Sequence, residues 1–215
     1  MRLRFPTFVS ERMSVFGQII ILNGVPRSGK SSIADAIRKS FGGEWIIFGV
    51  DAFMANNTPL HLQPGLGLRP GGERPDLEPS VSMLYTKLHQ MVADMSRKGE
   101  NVIVDVGYHD SYSTPLHVRE AGAKVLEGLP VLFVGVRCPI EEIMLRRNQG
   151  PDGVYVKGSK SEPIPEAVQR WQDEVHKLGI YDLEVDTSQL SPEECAIVIR
   201  TRMESGNPND AFWQN

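Results

Sequence analysis

Cysteine is scarce in this chain, and long apolar runs are missing from it. Two cysteines, Cys138 and Cys195, occur in 215 residues, without a CxxC spacing and without a neighbouring histidine. They predict neither a disulfide framework nor a zinc site, and they are typical of inert thiols in a reducing compartment. The apolar runs are far shorter than the roughly 20 residues of a membrane span. We therefore expect a cytoplasmic protein that does not insert into a membrane.

An excess of basic residues is also missing. The formal net charge is −4, and 40% of the residues are hydrophobic, which is ordinary for a globular protein. A nucleic-acid surface needs clustered Lys and Arg, so we expect no nucleic-acid partner. The length fits one domain with a sizeable core and at most an added lid. The sequence carries no signal for an oligomeric state.

Short apolar segments rich in Val and Ile alternate with helical patterns. The expected strands cover 18–23, 44–51, 101–106, 130–138 and 181–187. The expected helices cover 30–41, 80–98, 114–126, 140–147, 164–178 and 192–203, the last with Ser191 as its N-cap. Strands without polar alternation are typical of parallel sheets that are buried on both faces. The pattern predicts an α/β doubly wound fold, with a five-stranded parallel sheet flanked by helices.

Irregular segments set the expected domain organisation. Residues 1–15 lack a continuous apolar stretch and a cleavage site, so we interpret them as an N-terminal extension or a start-site artefact and not as a signal peptide. One domain is expected over 16–204. It includes a Pro/Gly-rich acceptor loop at about 58–79 and a lid at about 146–165. Residues 205–215 form a tail whose aromatic pair either docks or is free.

The stretch GVPRSGKSS, residues 24–32, carries the strongest chemical signal. Gly24, Gly29, Lys30 and Ser31 satisfy the pattern G-x4-G-K-[ST] between an apolar strand and a helix. In such a loop, backbone N–H groups and the helix N-terminus converge on phosphate oxygens, while the lysine reaches the β- and γ-phosphates. The neighbouring Arg27, Ser28 and Ser32 are assigned to the same nucleotide site.

Two aspartates at the ends of expected strands are candidates for the chemistry. Asp105 ends 101–106 and, with the Ser31 hydroxyl, is the candidate Mg²⁺ ligand; alternatively it caps a turn. Asp51 ends 44–51 and is the candidate general base for an attacking hydroxyl. Its alternative is to cap the segment that follows.

Arginines cluster after the fourth expected strand. Arg137 and Arg146 are candidates for stabilising charge on the transferring phosphoryl group. Arg146 and Arg147 also end a helix, where the macrodipole alone favours cations. Tyr108 and His109 are weaker candidates for the lining of an acceptor pocket.

Five stretches in this order resemble the chloramphenicol phosphotransferase family of P-loop kinases. They are IILNGVPRSGKSSI, WIIFGVDAFM, NVIVDV, VLFVGVRCPIEE and HKLGIYDLEVDTSQLSPEECA. The resemblance extends from about residue 17 to residue 200. It implies transfer of the γ-phosphate of ATP, with Mg²⁺, to a hydroxyl of chloramphenicol.

The resemblance also implies roles for individual residues. Lys30 and Ser31 match the family's phosphate and magnesium positions, and Asp51 matches its proposed general base. Arg137 and Arg146 match family arginines, the second in the lid, and Asp186 and Thr187 would lie near the adenine or ribose. A further lid arginine is replaced here by the region 149–151, and the lid has an added KGSKSEPIP.

Two alternatives to an antibiotic kinase stay open at this point. A kinase of another small metabolite would share the whole nucleotide site, because acceptor specificity lies in the irregular loops. A nucleotide-binding switch or ATPase module would need only the P-loop. The sequence lacks an NKxD-type guanine signature, and Asp51 has no role in a pure switch.

Overall fold

A five-stranded parallel sheet lies at the centre of the computed structural model, which describes residues 16–58, 70–153, 155–177 and 179–214. Its strands are β1 (Ile19–Asn23), β2 (Trp45–Gly49), β3 (Asn101–Val106), β4 (Val131–Arg137) and β5 (Leu183–Asp186). Their order is β2-β3-β1-β4-β5, and every adjacent pair is parallel. The predicted fold class is confirmed.

Seven α-helices connect or follow the strands within the described residues. They are α1 (Lys30–Ser40), α2 (Val50–Asn57), α3 (Glu78–Arg97), α4 (Val118–Val125), α5 (Ile140–Asn148), α6 (Glu166–Val175) and α7 (Pro192–Glu204). The expected cap of α7 is present as a reciprocal capping box. Ser191 Oγ accepts from the Glu194 N–H at 3.2 Å, and the Glu194 carboxylate accepts from the Ser191 N–H at 2.8 Å. None of the described helices is long and apolar enough to cross a membrane.

Both faces of the sheet are buried, which explains why its strands lack polar alternation. Successive side chains of β1 point to opposite faces. Ile19 and Ile21 pack in the cluster formed with α2, α3 and α4, while Ile20 and Leu22 pack in the cluster formed with α1 and α7. β1 lies between β3 and β4, so the loop that follows it emerges at the middle of the sheet edge.

A smaller apolar cluster attaches α5 and α6 to that loop. Val25, directly after Gly24, is buried with Ile143 and Met144 of α5 and with Val168 and Val175 of α6. The segment between the two helices is irregular, as expected for a lid. Pro165 precedes α6 in an extended conformation and ends this segment.

Two sequence-based boundaries were wrong, and one helix was not predicted. The second strand ends at Gly49 and not at Asp51, because the chain enters α2 at Val50 without an intervening loop. Asp51 therefore lies in the first turn of a helix that the sequence analysis did not predict. α4 begins at Val118, four residues later than expected, after His117 in a left-handed conformation with φ 51°.

The C-terminal aromatic pair docks against the domain. Residues 211–213 form a 3₁₀ turn, and Phe212 is fully buried in the cluster that contains Tyr108 and Phe133. Arg119 donates to the carbonyls of Phe212 and Gln214 at 3.1 and 2.8 Å. Of the expected segments, residues 1–15 and half of the acceptor loop, 59–69, lie outside the described residues.

Candidate active site

The G-x4-G-K-S loop joins β1 to α1 and depends on glycine at both ends. A Cβ on Gly24 would lie 2.6 Å from the Val136 carbonyl oxygen, so the loop passes too close to β4 for any side chain. Gly29, the residue before α1, has φ 100°, a conformation that favours glycine. Arg27 adopts φ 74° despite its side chain, which costs about 1 kcal/mol.

Hydroxyl, carboxylate and ammonium groups meet beside this loop. Ser31 Oγ donates to Asp105 Oδ2 at 2.7 Å, and Lys30 Nζ lies 3.4 Å from Asp105 Oδ1. Lys30 Nζ also donates to the carbonyls of Gly24 and Val25 at 2.9 and 3.0 Å. The lysine is buried, so these three oxygen contacts hold its charge at the loop. The Ser31–Asp105 oxygen pair is the donor chemistry that Mg²⁺ prefers.

A small cavity opens on the other side of Lys30. The charged groups that line it are Lys30, Asp51 and Asp105, and its apolar lining includes the rings of Tyr85 and Trp171. Its volume is about 50 Å³. Asp51, on α2, and Asp105, on β3, thus reach one space although their elements are far apart in the sequence. The structure brings together three of the residues that the sequence singled out.

The surroundings of Asp51 disfavour its negative charge. Crowding by neighbouring protein atoms is the largest cause that raises the pKa of this carboxyl above its usual value. Lys30 opposes the shift and Asp105 adds to it. The side chain still reaches solvent, so a proton that it accepts can leave.

A second, larger cleft of about 270 Å³ lies on the outer side of the glycine loop. Its lining from the loop comprises Arg27, Gly29, Lys30, Ser31 and Ser32. Its other walls come from Arg146, Tyr155, Thr187, Leu190 and Pro192. The cleft continues from the phosphate-binding loop to the start of α7.

Arg146 is fixed at the wall of this cleft by four hydrogen bonds. Its Nη1 and Nη2 donate to Thr187 Oγ1 and the Thr187 carbonyl at 3.0 and 2.8 Å. Its Nη1 also donates to the Arg27 carbonyl at 3.3 Å, and its Nε pairs with Glu142 at 2.9 Å. Thr187 Oγ1 in turn donates to the Ser28 carbonyl at 2.7 Å. Arg146 of α5 and Thr187, directly after β5, therefore hold the glycine loop in place through hydrogen bonds.

Tyr155 lies between two guanidinium groups. The Arg27 Cζ is 5.1 Å and the Arg147 Cζ is 5.5 Å from the centre of its ring. Both distances are within the range of cation–π attraction. Arg27 also donates to the Arg146 carbonyl at 2.7 Å, so the lid segment contacts the glycine loop through side chains on both sides.

Not every candidate residue reaches these two spaces. Arg137 ends β4, but its guanidinium pairs with Glu184 of β5 through contacts of 2.5 and 3.0 Å. Asp186 accepts from the backbone and the hydroxyl of Ser188 at 2.8 and 2.7 Å, which organises the turn before α7. Ser28 is fully buried beneath the loop. The described linings of the two spaces contain none of these three predicted residues.

The sequence analysis did not assign Tyr85 and Tyr155 to the site. Tyr85 lies on the apolar face of α3. On such a face the sequence pattern does not distinguish a ring that lines a cavity from a ring that packs in the core. Tyr155 is an aromatic residue within a polar, glycine-containing segment, and that contrast is a signal that could have indicated it. Trp171 of α6 is a third residue of these linings that the sequence analysis did not assign.

Comparison with known proteins identifies the family. The family described as chloramphenicol phosphotransferase-like protein matches residues 17–204. The chain belongs to this family. The resemblance found in the sequence is thereby confirmed, and the match spans both the glycine loop and α7. No curated protein matches the chain.

Solved P-loop kinases share the fold of this family member at low sequence identity. The APS kinase of Mycobacterium tuberculosis, in complex with AMPPNP and APS, is 18% identical with a TM-score of 0.57, over 88% of this chain and 98% of its own. Shikimate kinase from Acinetobacter baumannii, in complex with shikimate, is 11% identical with a TM-score of 0.58, over 90% and 96%. A sugar kinase from Janibacter sp. is 16% identical with a TM-score of 0.56, over 88% and 96%. Family and fold together support a small-molecule kinase that binds a nucleotide.

Proposed function

We propose that the protein is an ATP-dependent O-phosphotransferase that moves the γ-phosphate of ATP to a hydroxyl of a small, uncharged acceptor. The observation that carries this proposal is the convergence of Lys30, Asp51 and Asp105 on one cavity beside the glycine loop. A pure nucleotide switch has no use for Asp51 at that position. The family described as chloramphenicol phosphotransferase-like supports the same reaction class.

Asp51 is the general base in this proposal. The acceptor hydroxyl gives its proton to the Asp51 carboxylate, and its oxygen forms a bond to the γ-phosphorus. The bond between that phosphorus and the β–γ bridging oxygen breaks, and ADP leaves with the electron pair. The raised pKa of Asp51 suits this role, because a more basic carboxylate accepts the proton more readily.

Lys30 and the glycine loop hold the phosphates. The two carbonyls that now accept from Lys30 Nζ lie in the loop itself, so the ammonium is already at the phosphate site. Ser31 and Asp105 would hold Mg²⁺, which neutralises phosphate charge when it is bound. In the outer cleft, Arg146, Tyr155 and Thr187 are the proposed contacts for the nucleoside.

The charge of the cavity favours an uncharged acceptor. Two carboxylates and one ammonium line it, and among its described lining residues there is no arginine. An anionic acceptor would be repelled by the two carboxylates. Lys30 would not offset this repulsion, because its ammonium is already paired with the loop carbonyls and Asp105. The family description makes chloramphenicol, an uncharged compound with hydroxyl groups, the first acceptor to test.

A cavity of about 50 Å³ is too small for an acceptor of this size. Trp171 of α6 closes it on one side, and Arg170 reaches across to residues 70–73 of the acceptor loop. Arg170 Nη1 lies 3.3 Å from the Pro70 carbonyl oxygen and 3.5 Å from Glu73 Oε1. We infer that α6 moves away from 70–73 when the acceptor enters and returns to exclude water from the transfer.

The deciding experiment combines purified protein, γ-labelled ATP, Mg²⁺ and chloramphenicol, with mass spectrometry of the product. Phosphorylated chloramphenicol with the wild type and with Asp94→Asn, but not with Asp51→Asn, is the expected result. Asp94 is an exposed carboxylate on α3 and serves as the matched control. Equal transfer by Asp51→Asn would reject the general base. Faster transfer to shikimate or a sugar acid would reject the uncharged acceptor, and phosphate release that no acceptor accelerates would favour an ATPase.

A further inference from the structure

Asn23 is a buried polar residue at the junction between β1 and the glycine loop. Its exposed fraction is 2%, and Gly24 follows it directly. No step of the proposed transfer uses its side chain. A buried amide without a chemical task is expected to be held by hydrogen bonds, and its partners indicate what it does.

The amide of Asn23 connects three segments. Its Nδ2 donates to Tyr181 Oη at 2.8 Å and to the Val175 carbonyl at 3.3 Å. Its Oδ1 accepts from the Tyr108 N–H at 2.7 Å. Val175 is the last residue of α6, and Tyr108 follows Asp105 by three positions. One side chain thus joins the strand of the glycine loop to the end of α6 and to the loop that follows β3.

The network continues to His176, directly after α6. His176 Nδ1 lies 2.8 Å from Tyr181 Oη. The same hydroxyl therefore bonds to Asn23, from which it accepts, and to His176, with a direction that depends on which ring nitrogen carries the proton. Burial, together with the positive charges of Arg137 and Lys30, lowers the pKa of His176 to about 4, so the ring is uncharged at neutral pH. We call Asn23, Tyr181 and His176 the Asn23 latch.

The latch lies one turn of helix away from the residues that close the acceptor cavity. Trp171 and Arg170 are on α6, whose C-terminal end the latch holds. The ring of Trp171 is packed closely over Gly107, where a Cβ would lie 3.1 Å from Trp171 Cζ3. Val25 of the glycine loop packs against the same helix through Val168 and Val175. A shift in the position of the glycine loop therefore acts on α6 through the apolar contacts of Val25 and through the hydrogen bonds of Asn23.

We propose that the Asn23 latch couples the glycine loop to α6, so that Asn23 and Tyr181 are positioning residues that set the closed position of this helix when nucleotide is bound. The role in transfer rests on the function proposed above. The latch itself does not, because it is a property of the hydrogen bonds between β1, α6 and Tyr181. It predicts that α6 loosens when the latch is broken, with or without an acceptor.

The chain offers a matched control for this test. Tyr108 and His89 form a second buried tyrosine–histidine pair, with Tyr108 Oη 2.7 Å from His89 Nε2, in the core between α3 and β3. Tyr181→Phe and Tyr108→Phe each remove one hydroxyl and leave the ring. The first removes the hydroxyl that joins Asn23 to His176 and leaves only the 3.3 Å bond from Asn23 to the Val175 carbonyl, whereas the second removes a hydrogen bond that does not touch α6.

Hydrogen exchange read by mass spectrometry measures the effect. In Tyr181→Phe, amides of α6 are expected to exchange about tenfold faster relative to those of α7, because Asn23 Nδ2 and His176 Nδ1 lose a partner. Asn23→Ala is expected to act in the same direction. Tyr108→Phe keeps the wild-type ratio of α6 to α7. Added Mg²⁺ and AMPPNP slow exchange in α6 for the wild type and Tyr108→Phe, but not for Tyr181→Phe.

Two results would overturn the latch. One is a wild-type α6-to-α7 ratio in Tyr181→Phe, and the other is equal loosening of α6 by both tyrosine variants. Phosphate transfer is measured separately on the same proteins. If the wild type transfers no phosphate and AMPPNP leaves its exchange unchanged, the proposed function fails, while the ratio without nucleotide still decides the latch.

Discussion

Ser31 donates a 2.7 Å hydrogen bond to Asp105, a residue 74 positions further along the chain. The contact follows from the order of the strands, since β1 and β3 are adjacent and parallel with Leu22 opposite Asp105. Ser31 is thereby brought to the carboxyl end of β3, the strand next to β1. That edge of a parallel sheet is where ligands bind in open α/β folds.

Asp51→Asn is expected to stop transfer without lowering stability. The folded-state pKa of Asp51 is raised, so its ionised form is less favourable in the folded than in the unfolded chain at neutral pH. Asparagine removes that penalty and the repulsion from Asp105. Thermal unfolding at neutral pH should give a melting temperature equal to or above that of the wild type. A lower melting temperature would show that the carboxylate stabilises the fold.

Thr187→Val is expected to weaken nucleotide binding about fivefold. The valine cannot donate to the Ser28 carbonyl or accept from Arg146, so both the glycine loop and the cleft wall lose a brace. Titration calorimetry with Mg²⁺ and AMPPNP measures the change. Thr201→Val is the control, because Thr201 Oγ1 donates only to a helix carbonyl on the exposed face of α7. An unchanged affinity in Thr187→Val would remove Thr187 from the nucleotide site.

Gly107→Ala is expected to raise the KM for the acceptor severalfold while nucleotide affinity stays within about twofold. The new methyl group would lie 3.1 Å from Trp171 Cζ3 and 3.2 Å from the Gly24 carbonyl oxygen, and the indole must shift to admit it. Steady-state kinetics with each substrate varied in turn separates the two effects. Gly42→Ala, where a Cβ meets nothing within 4 Å, is the control. A change in nucleotide affinity alone would contradict the placement of Trp171 at the acceptor cavity.

Stability is expected to fall as the pH is lowered from about 6.5 to about 4. Burial lowers the pKa of His89 to about 4, and that of His176 is also about 4. Below about 6.5 the unfolded chain binds protons at these rings while the folded chain does not, so each ring contributes a loss of up to about 1.4 kcal/mol per pH unit. Urea unfolding at neutral pH and near pH 5 gives the change in the free energy of unfolding, to which both histidines contribute. His89→Gln should reduce the pH dependence, because the glutamine takes up no proton when the chain unfolds.

The sequence was sufficient for the fold and for the nucleotide loop because both depend on local patterns. Apolar strands alternate with helices, and the glycines stand where a Cβ or a negative φ would not fit. Asp105 could be placed as well, because a residue near the end of a parallel strand faces the same edge as the loop. Asp51 lies at the expected cavity, but on a different element. It belongs to the first turn of α2, which begins where β2 was expected to continue.

Side-chain direction was beyond the sequence wherever a distant partner decides it. Arg137 has the position expected of it at the end of β4, but Glu184, 47 residues later, holds its guanidinium at the outer strand. Asp186 is likewise engaged by the turn that it starts. The hydrogen bonds of Asn23 join residues up to 158 positions apart, and no spacing in the sequence indicates them.

The burial of Phe212 has a consequence for synthesis of the protein. Phe133 and Tyr108, which lie in the middle of the domain, contact this ring, with centroids 5.2 and 6.2 Å away. A nascent chain therefore carries a gap on that face of the sheet until residue 212 has left the ribosome. A chain released before residue 212 is made exposes the apolar surface that this ring covers, and such surface is a substrate for chaperones and proteases.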